Sequence, residues 1–465
     1  MTEKTAGALP ASGARSAVRA VQRCILRPCG ASFSLRERIY VCPRCGGPLE
    51  IEVPLDAIAS PHSLRTLWQS RKQSPEPRDR SGVWRFRELL PFDDAAPIIT
   101  LFEGNTPLYD APSCAEYSGL SALRLKHQGC NPTGSFKDAG MTAAVTQAIA
   151  LGARTTVCAS TGNTAASLAA YSARAGLQCA ILLPRGQITA AKLAQSMDYG
   201  AIVMELDGNF DDCMRLINEL GSDPSIYVAN SINPFRIEGQ KTVAFELMEQ
   251  CNWQAPDHVV VPGGNMGNSS ALGKGFTELL RLGLIDRLPK LSIIQAEGSA
   301  PLAKMFADLS AAQKADPRHI PDLLTPVASP ETLATAIKIG APVSWRKALR
   351  AVLESGGQII TVSEQEIADA KAMVGRDGIG CEPASATTVA GIRKLVSAGH
   401  IRRSDSVVAV LTGHVLKDPD YVSNYHRGTL VPRGIEKPLA GAFRNEPERI
   451  AASKSAILER LHRKP

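Results

Sequence analysis

Gly129-Cys-Asn-Pro-Thr-Gly-Ser-Phe-Lys-Asp138 puts one lysine, Lys137, in a turn of small residues just ahead of 139–152, an alanine-rich stretch whose pattern predicts a helix. Gly134 and Ser135 permit close backbone approach, and Phe136 offers an apolar contact. A lysine in such surroundings can be desolvated, which lowers its pKa and suits it to Schiff-base formation and proton carriage. Read alone, the stretch is better taken as a turn followed by a solvated lysine at a helix start.

Three further stretches decide between those readings. Ala159-Ser-Thr-Gly-Asn-Thr-Ala-Ala166 follows a β-branched apolar run at 155–158 and leads into an alanine-rich helix reaching about Arg174. Strand, small polar turn and helix together present free N–H groups to an anion. Ser160, Thr161 and Thr164 add hydroxyls there and Asn163 an amide, more polar groups than a single helix cap uses. Pro262-Gly-Gly-Asn-Met-Gly-Asn268 lies between a strand pattern at 258–261 and a helix pattern running to about Leu282. Its glycines admit a phosphate to the backbone, and the helix dipole favours the charge. A strand at 407–411 ends in Leu411-Thr-Gly-His-Val-Leu-Lys-Asp-Pro419, with Thr412 at the carboxyl end where open α/β sheets place their ligands.

In this order and company the motifs resemble those of the threonine synthases, within the fold-type II pyridoxal-phosphate enzymes. Leu101-Phe-Glu-Gly-Asn-Thr-Pro-Leu108, the segment from Ala229-Asn-Ser-Ile-Asn-Pro-Phe-Arg236 to Thr242, and Cys381-Glu-Pro-Ala-Ser-Ala386 belong to the same likeness, which covers roughly residues 80–420. Ser81-Gly-Val-Trp-Arg-Phe-Arg-Glu-Leu-Leu90 and Ala336-Ile-Lys-Ile-Gly-Ala-Pro-Val-Ser-Trp345 resemble threonine synthases in particular. The resemblance implies a tryptophan synthase β-like α/β fold, with two three-layer α/β/α subdomains and a zinc-ribbon-like N-terminal extension. It implies that Lys137 carries pyridoxal 5'-phosphate and moves protons. Asn163 would meet the phenolic oxygen, Gly263, Gly264, Asn265, Met266 and Gly267 the cofactor phosphate, and Thr412 the ring nitrogen, as a neutral hydroxyl. Ser160, Thr161 and Thr164 would hold the substrate carboxylate. Asn230, Ser231, Arg236 and Asn265 would hold a substrate phosphate, which a guanidinium grips through two hydrogen bonds.

The implied reaction converts O-phospho-L-homoserine and water to L-threonine and phosphate, by γ-elimination and β-addition of water. The same scaffold also serves cysteate synthase-like and threonine or serine dehydratase-like reactions. A non-catalytic zinc-ribbon binding protein is the reading from a different class, and joint retention of Lys137, Asn163, the glycine loop and Thr412 opposes it. Val415 and Ala139 depart from the family, which often has glycine and, in bacteria, arginine at those places.

The rest of the chain agrees with an enzyme of this size. Its 465 residues, 44% hydrophobic, can bury a large core in more than one domain. Alternating patterns predict strands at 178–184, 201–206, 226–230, 291–296 and 358–362, with helices at 190–199 and 210–220, a mostly parallel sheet arrangement. The division expected is a disordered tail at 1–22, a ribbon at 23–52, an extension packed on the catalytic body at 53–100, a catalytic domain at 101–435 with a mobile small subdomain at about 140–240, and a tail at 436–465. The net charge of +7 is spread along the chain, without a basic run interleaved with aromatics, so a nucleic-acid partner is not expected. With no membrane-length apolar run and no apolar signal core, a cytoplasmic enzyme is expected, and the family suggests a homodimer. Most of the eleven cysteines fall in apolar segments and read as reduced core residues. Cys24, Cys29, Cys42 and Cys45 are the exception, with donors suited to tetrahedral zinc. The Cys24–Cys29 spacing is wider than usual and Leu26 stands where a ligand is expected, so a metal-free ribbon remnant remains the alternative.

Overall fold

The computed structural model describes residues 20–462, apart from 57, 161, 187–189 and 317–321. The sequence-marked tail at 1–19 and residue Thr161 therefore lie outside the described residues, whereas Val21 and Gln22 already belong to the ribbon's first strand.

Two sheets carry the catalytic body. The larger has strand order Ile359–Val362, Lys290–Ala296, His258–Pro262, Val407–Leu411, Arg124–His127, Leu108–Asp110, all parallel except the last edge strand. The smaller, Ile202–Leu206, Gln178–Pro184, Thr155–Ala159, Ile226–Val228, is wholly parallel. His258–Pro262 and Val407–Leu411 are buried along their whole length, as strands covered by helices on both faces must be. The helices run close to their expected spans, with one informative shift: the helix after the lysine turn is Lys137–Ala150, so Lys137 is its first residue.

The parallel arrangement places the functional motifs together. Lys137, Ser160, Asn230, Gly263 and Thr412 all follow the carboxyl end of a parallel strand. The lysine helix then crosses the helix Pro234–Gln250 at Gly239, where a Cβ would stand 1.8 Å from the carbonyl oxygen of Ala139. That approach needs glycine at 239. Val415 packs against Gly380, whose Cβ would lie 2.7 Å from it.

Outside the body, Trp68, Trp84 and Phe86 of the 53–100 segment are fully buried, with Trp68 and Phe86 against Phe245. The ribbon (Val21–Cys24, Ser32–Ser34 and Leu49–Glu52) touches both sheets' territories. Arg38 donates to the carbonyls of Leu151, Asp223, Pro224 and Ile226, and Tyr40 Oη accepts the Val228 N–H at 2.8 Å. On its other side Lys347 donates to the Leu49 carbonyl at 2.5 Å and Arg350 pairs with Glu50 at 2.9 Å. Burial opposes ionisation of Glu50, yet Arg350, Lys274 and Lys347 hold its carboxyl down at about 2. The ribbon thus clasps the small sheet's edge strand to helices of the large one.

Candidate active site

The lysine turn is stitched to the loop after Val407–Leu411. Phe136 N–H donates to the Thr412 carbonyl at 2.9 Å, and His414 N–H to that of Gly134 at 2.9 Å. Asp138 fixes the turn from within: its carboxylate accepts the Thr133 N–H at 2.7 Å and the Thr133 and Ser167 hydroxyls at 2.6 Å each. Burial pushes that carboxyl up to about 6 against these bonds. The Lys137 amine lies over the Phe136 ring, 3.7 Å from its centre. Desolvation first, and the Arg236 charge second, bring it down to about 7, with Glu382 pulling the other way. A lysine so shifted has a neutral, nucleophilic fraction near neutral pH.

Asn163 opens the helix Asn163–Ala175, and its Nδ2 donates to Glu382 Oε2 at 2.9 Å. Ser160 Oγ accepts the Gly162 N–H at 3.4 Å, and Thr164 is buried. Asn230 ties the end of the edge strand Ile226–Val228 to that of its neighbour Thr155–Ala159, exchanging bonds with Ala159 N–H at 3.1 Å and Ala159 carbonyl at 3.2 Å. Ser231 Oγ accepts from Asn265 Nδ2 at 3.3 Å, while Asn265 Oδ1 takes the Val343 N–H at 3.1 Å.

Arg236 is the most unusual group. Its side chain is buried, Nη1 donates to the Ala229 carbonyl at 3.1 Å, and Nε has no partner. Among the described residues no carboxylate pairs with it, and burial lowers its pKa to about 10. An uncompensated buried guanidinium is costly to a fold and points to an anion it must receive.

The glycine loop runs into the helix Gly267–Arg281 through Met266, a non-glycine residue at φ 64°. Left-handed backbone at such a residue is strain of the kind functional loops hold. Gly264 leaves room that a Cβ, 3.2 Å from Ile337, would crowd. Just inside the helix, Asn268 is buried with both Oδ1 and Nδ2 unpartnered. Orphaned amide atoms, a strained glycine loop and a helix N-terminus are together the donor set of a phosphate cradle, so these residues fit pyridoxal 5'-phosphate. Thr412 Oγ1 lies 3.0 Å from both Glu382 Oε1 and Ser385 Oγ.

Sequence reasoning named neither Asn268 nor Glu382 as site residues, although both stand inside the motifs quoted. The missing signal was three-dimensional: an asparagine at the second position of a helix and a glutamate before a proline are ordinary until burial and hydrogen-bond partners, or the lack of them, are known. Lys417 is a third such residue. Its Nζ donates to Gln195 Oε1 at 2.5 Å, and Gln195 Nε2 reaches the Thr133 carbonyl at 3.1 Å, tying the Thr412 loop to the lysine turn through the small subdomain.

The cysteine cluster is separate from this site. The sulfurs of Cys24, Cys29, Cys42 and Cys45 lie within 4.8 Å of one another, with Cys24–Cys45 at 3.5 Å and Cys29–Cys42 at 3.6 Å. Zinc at about 2.3 Å from each of four sulfurs would space them about 3.8 Å apart, so the thiols fit it. Cys24 reaches the cluster because the turn after its strand folds back, with Cys29 and Gly30 N–H donating to the Leu26 carbonyl. Because the ribbon clasps both subdomains, Cys42→Ser or chelation is expected to lower the Tm of the whole chain by roughly 5 °C. Calorimetry with and without chelator checks this, and an unchanged Tm would mean the clasp holds without metal.

Parallel sheets, a desolvated lysine at the start of the helix after one strand and a phosphate cradle after another define a fold-type II pyridoxal-phosphate enzyme. Comparison with known proteins agrees. Residues 99–413 match the family described as "Pyridoxal-phosphate dependent enzyme". Threonine synthase of Methanocaldococcus jannaschii is 47% identical over 401 residues, covering 86% of this chain and 93% of that protein. The Mycobacterium bovis threonine synthase is 47% identical over 337 residues (72% and 88%), and that of Synechocystis 42% over 369 (79% and 91%). Among solved structures, threonine deaminase isoform 2 of Solanum lycopersicum aligns with TM-score 0.57 at 17% identity, covering 77% of this chain and 85% of that one, a likeness of fold. The chain belongs to the pyridoxal-phosphate-dependent enzyme family and, within it, to the threonine synthases.

Proposed function

We propose that this chain converts O-phospho-L-homoserine and water to L-threonine and phosphate, using pyridoxal 5'-phosphate. The observation carrying the substrate choice is Arg236, a buried cation beside Lys137 with a free Nε and, among the described residues, no anionic partner. When bound, the cofactor supplies the electron sink that makes protons on the amino acid's α- and β-carbons removable.

The chain's residues divide the remaining work. Lys137 holds the cofactor and, with an amine near neutrality, takes and returns protons at the α- and β-carbons. Gly263, Gly264, Asn265, Met266, Gly267 and Asn268 would cradle the cofactor phosphate. Asn163 would face its phenolic oxygen and Thr412 its ring nitrogen. Ser160, Thr161 and Thr164 would take the substrate carboxylate at a helix N-terminus. Arg236 and Ser231, with Asn265, would hold the substrate phosphate as it leaves the γ-carbon. Asn230 would support that pocket through its bonds to Ala159, with phosphate contact open to it only by exchanging one of them. Movement of the small subdomain would exclude water until the β-carbon is ready to receive it.

The ribbon cysteines would hold a structural zinc, and a cytoplasmic homodimer is the accompanying expectation. Among the described residues no helix is long and apolar enough to cross a membrane.

The test is phosphate release from O-phospho-L-homoserine by the cofactor-loaded protein, with threonine measured in the same tube. Equal amounts are expected. Phosphate with 2-oxobutyrate would replace hydration by elimination, and no phosphate from a loaded, yellow protein would overturn the substrate.

A further inference from the structure

Glu382 is 1% exposed and stands immediately before the helix Pro383–Ser397. A glutamate there would ordinarily cap the helix, but its side chain makes no capping bond. Its carboxylate turns into the site instead. Oε2 accepts Asn163 Nδ2 at 2.9 Å and Oε1 accepts Thr412 Oγ1 at 3.0 Å. Ser385 Oγ already accepts the N–H groups of Thr412 and Gly413, at 2.8 and 3.1 Å, so its own proton is directed at Thr412 Oγ1, 3.0 Å away. The Thr412 proton is thereby directed at Glu382. Room for the carboxylate is built in, since a Cβ on Gly413 would lie 2.3 Å from Glu382 Cδ. Among the described residues no arginine or lysine forms an ion pair with it, and Lys137 and Lys417 act on it only through longer-range charge. A buried carboxylate without a structural counter-ion is costly, so one kept between the two ring-binding side chains needs a role.

We propose that Glu382 is a positioning residue for the cofactor ring, a shared acceptor that orients the Asn163 amide from one subdomain and the Thr412 hydroxyl from the other. Asn163 keeps a second N–H for the phenolic oxygen while its first stays on Glu382. The inference rests on the cofactor reading and on no particular amino-acid substrate.

The test uses full-length Glu382→Ala and Glu382→Gln, stripped of cofactor and titrated with pyridoxal 5'-phosphate. Alanine, which removes the acceptor, is expected to raise the cofactor Kd about tenfold or more. Glutamine retains one acceptor without the charge. It is expected to alter the bound cofactor's absorption spectrum and to lower kcat by about tenfold with little change in KM for the amino acid. A merely structural glutamate would lower Tm and leave affinity, spectrum and the kcat–KM balance untouched, and that result overturns the proposal. Should the alanine chain fail to fold, the glutamine chain decides alone: wild-type spectrum and affinity overturn the proposal, and a changed spectrum supports it. A wild-type protein that takes up the cofactor yet forms no threonine would sink the proposed reaction and leave this inference standing.

Discussion

Lys137→Ala is expected to lower turnover by about three orders of magnitude or more, because one amine serves as cofactor carrier and as acid–base group, the latter alone worth about 10²–10⁴-fold. The variant should fold. The Lys137 amine rests on the Phe136 ring, and the turn is held by Asp138, Thr133 and the Thr412 carbonyl. The same desolvation that makes the amine reactive fixes the pH dependence of the wild-type protein. Its pKa lies at about 7, below the ordinary lysine value, so the neutral form is the majority above pH 7 and is lost as pH falls through it. Cofactor uptake should therefore rise with pH around an inflection near 7, where an ordinary lysine would place it more than three units higher. Absorbance-followed uptake by the apo chain between pH 6 and 9, beside steady-state turnover of Lys137→Ala, checks both. A variant that turned over at a tenth of the wild-type rate would remove Lys137 from the chemistry.

The parts legible in the sequence are those with local causes. Short continuous apolar, β-branched runs between turn residues located most strands to within a residue or two, and small polar stretches after them marked where backbone N–H groups gather. The resemblance supplied roles, not geometry. Glu382 shows what it left out: the carboxylate joins Asn163 and Thr412, far apart in the chain, and nothing in Glu-Pro-Ala-Ser tells whether the side chain caps its helix or leaves it. Asn230 shows the converse, since a residue expected on substrate spends its amide on Ala159. The ribbon's clasp was equally hidden, for Arg38 finds its acceptors at the end of a strand that the sequence could locate but not place beside it.

Arg236→Gln separates function from stability in a way few substitutions can. A charge-assisted, two-pronged grip on phosphate contributes about 3 kcal/mol, so kcat/KM for O-phospho-L-homoserine should fall about 10²-fold or more. Arg236→Lys, which keeps charge and loses the planar fork, should fall between. Stability is expected to move the other way or not at all. The guanidinium is buried, its Nε is unpartnered and among the described residues no carboxylate pairs with it, so glutamine relieves a desolvated charge and costs the fold one bond to the Ala229 carbonyl. The loss also reaches Lys137, whose amine Arg236 helps to hold down; without it the inflection in cofactor uptake moves to higher pH. A substrate without phosphate supplies the control, because elimination from L-serine or L-threonine, where detectable, should not share the 10²-fold loss. Lower Tm with unchanged kcat/KM would make Arg236 a structural cation and take away the reason for a phosphorylated substrate. Lower kcat/KM at equal or higher Tm is what a cation held against the interests of the fold, for the sake of an anion, should give.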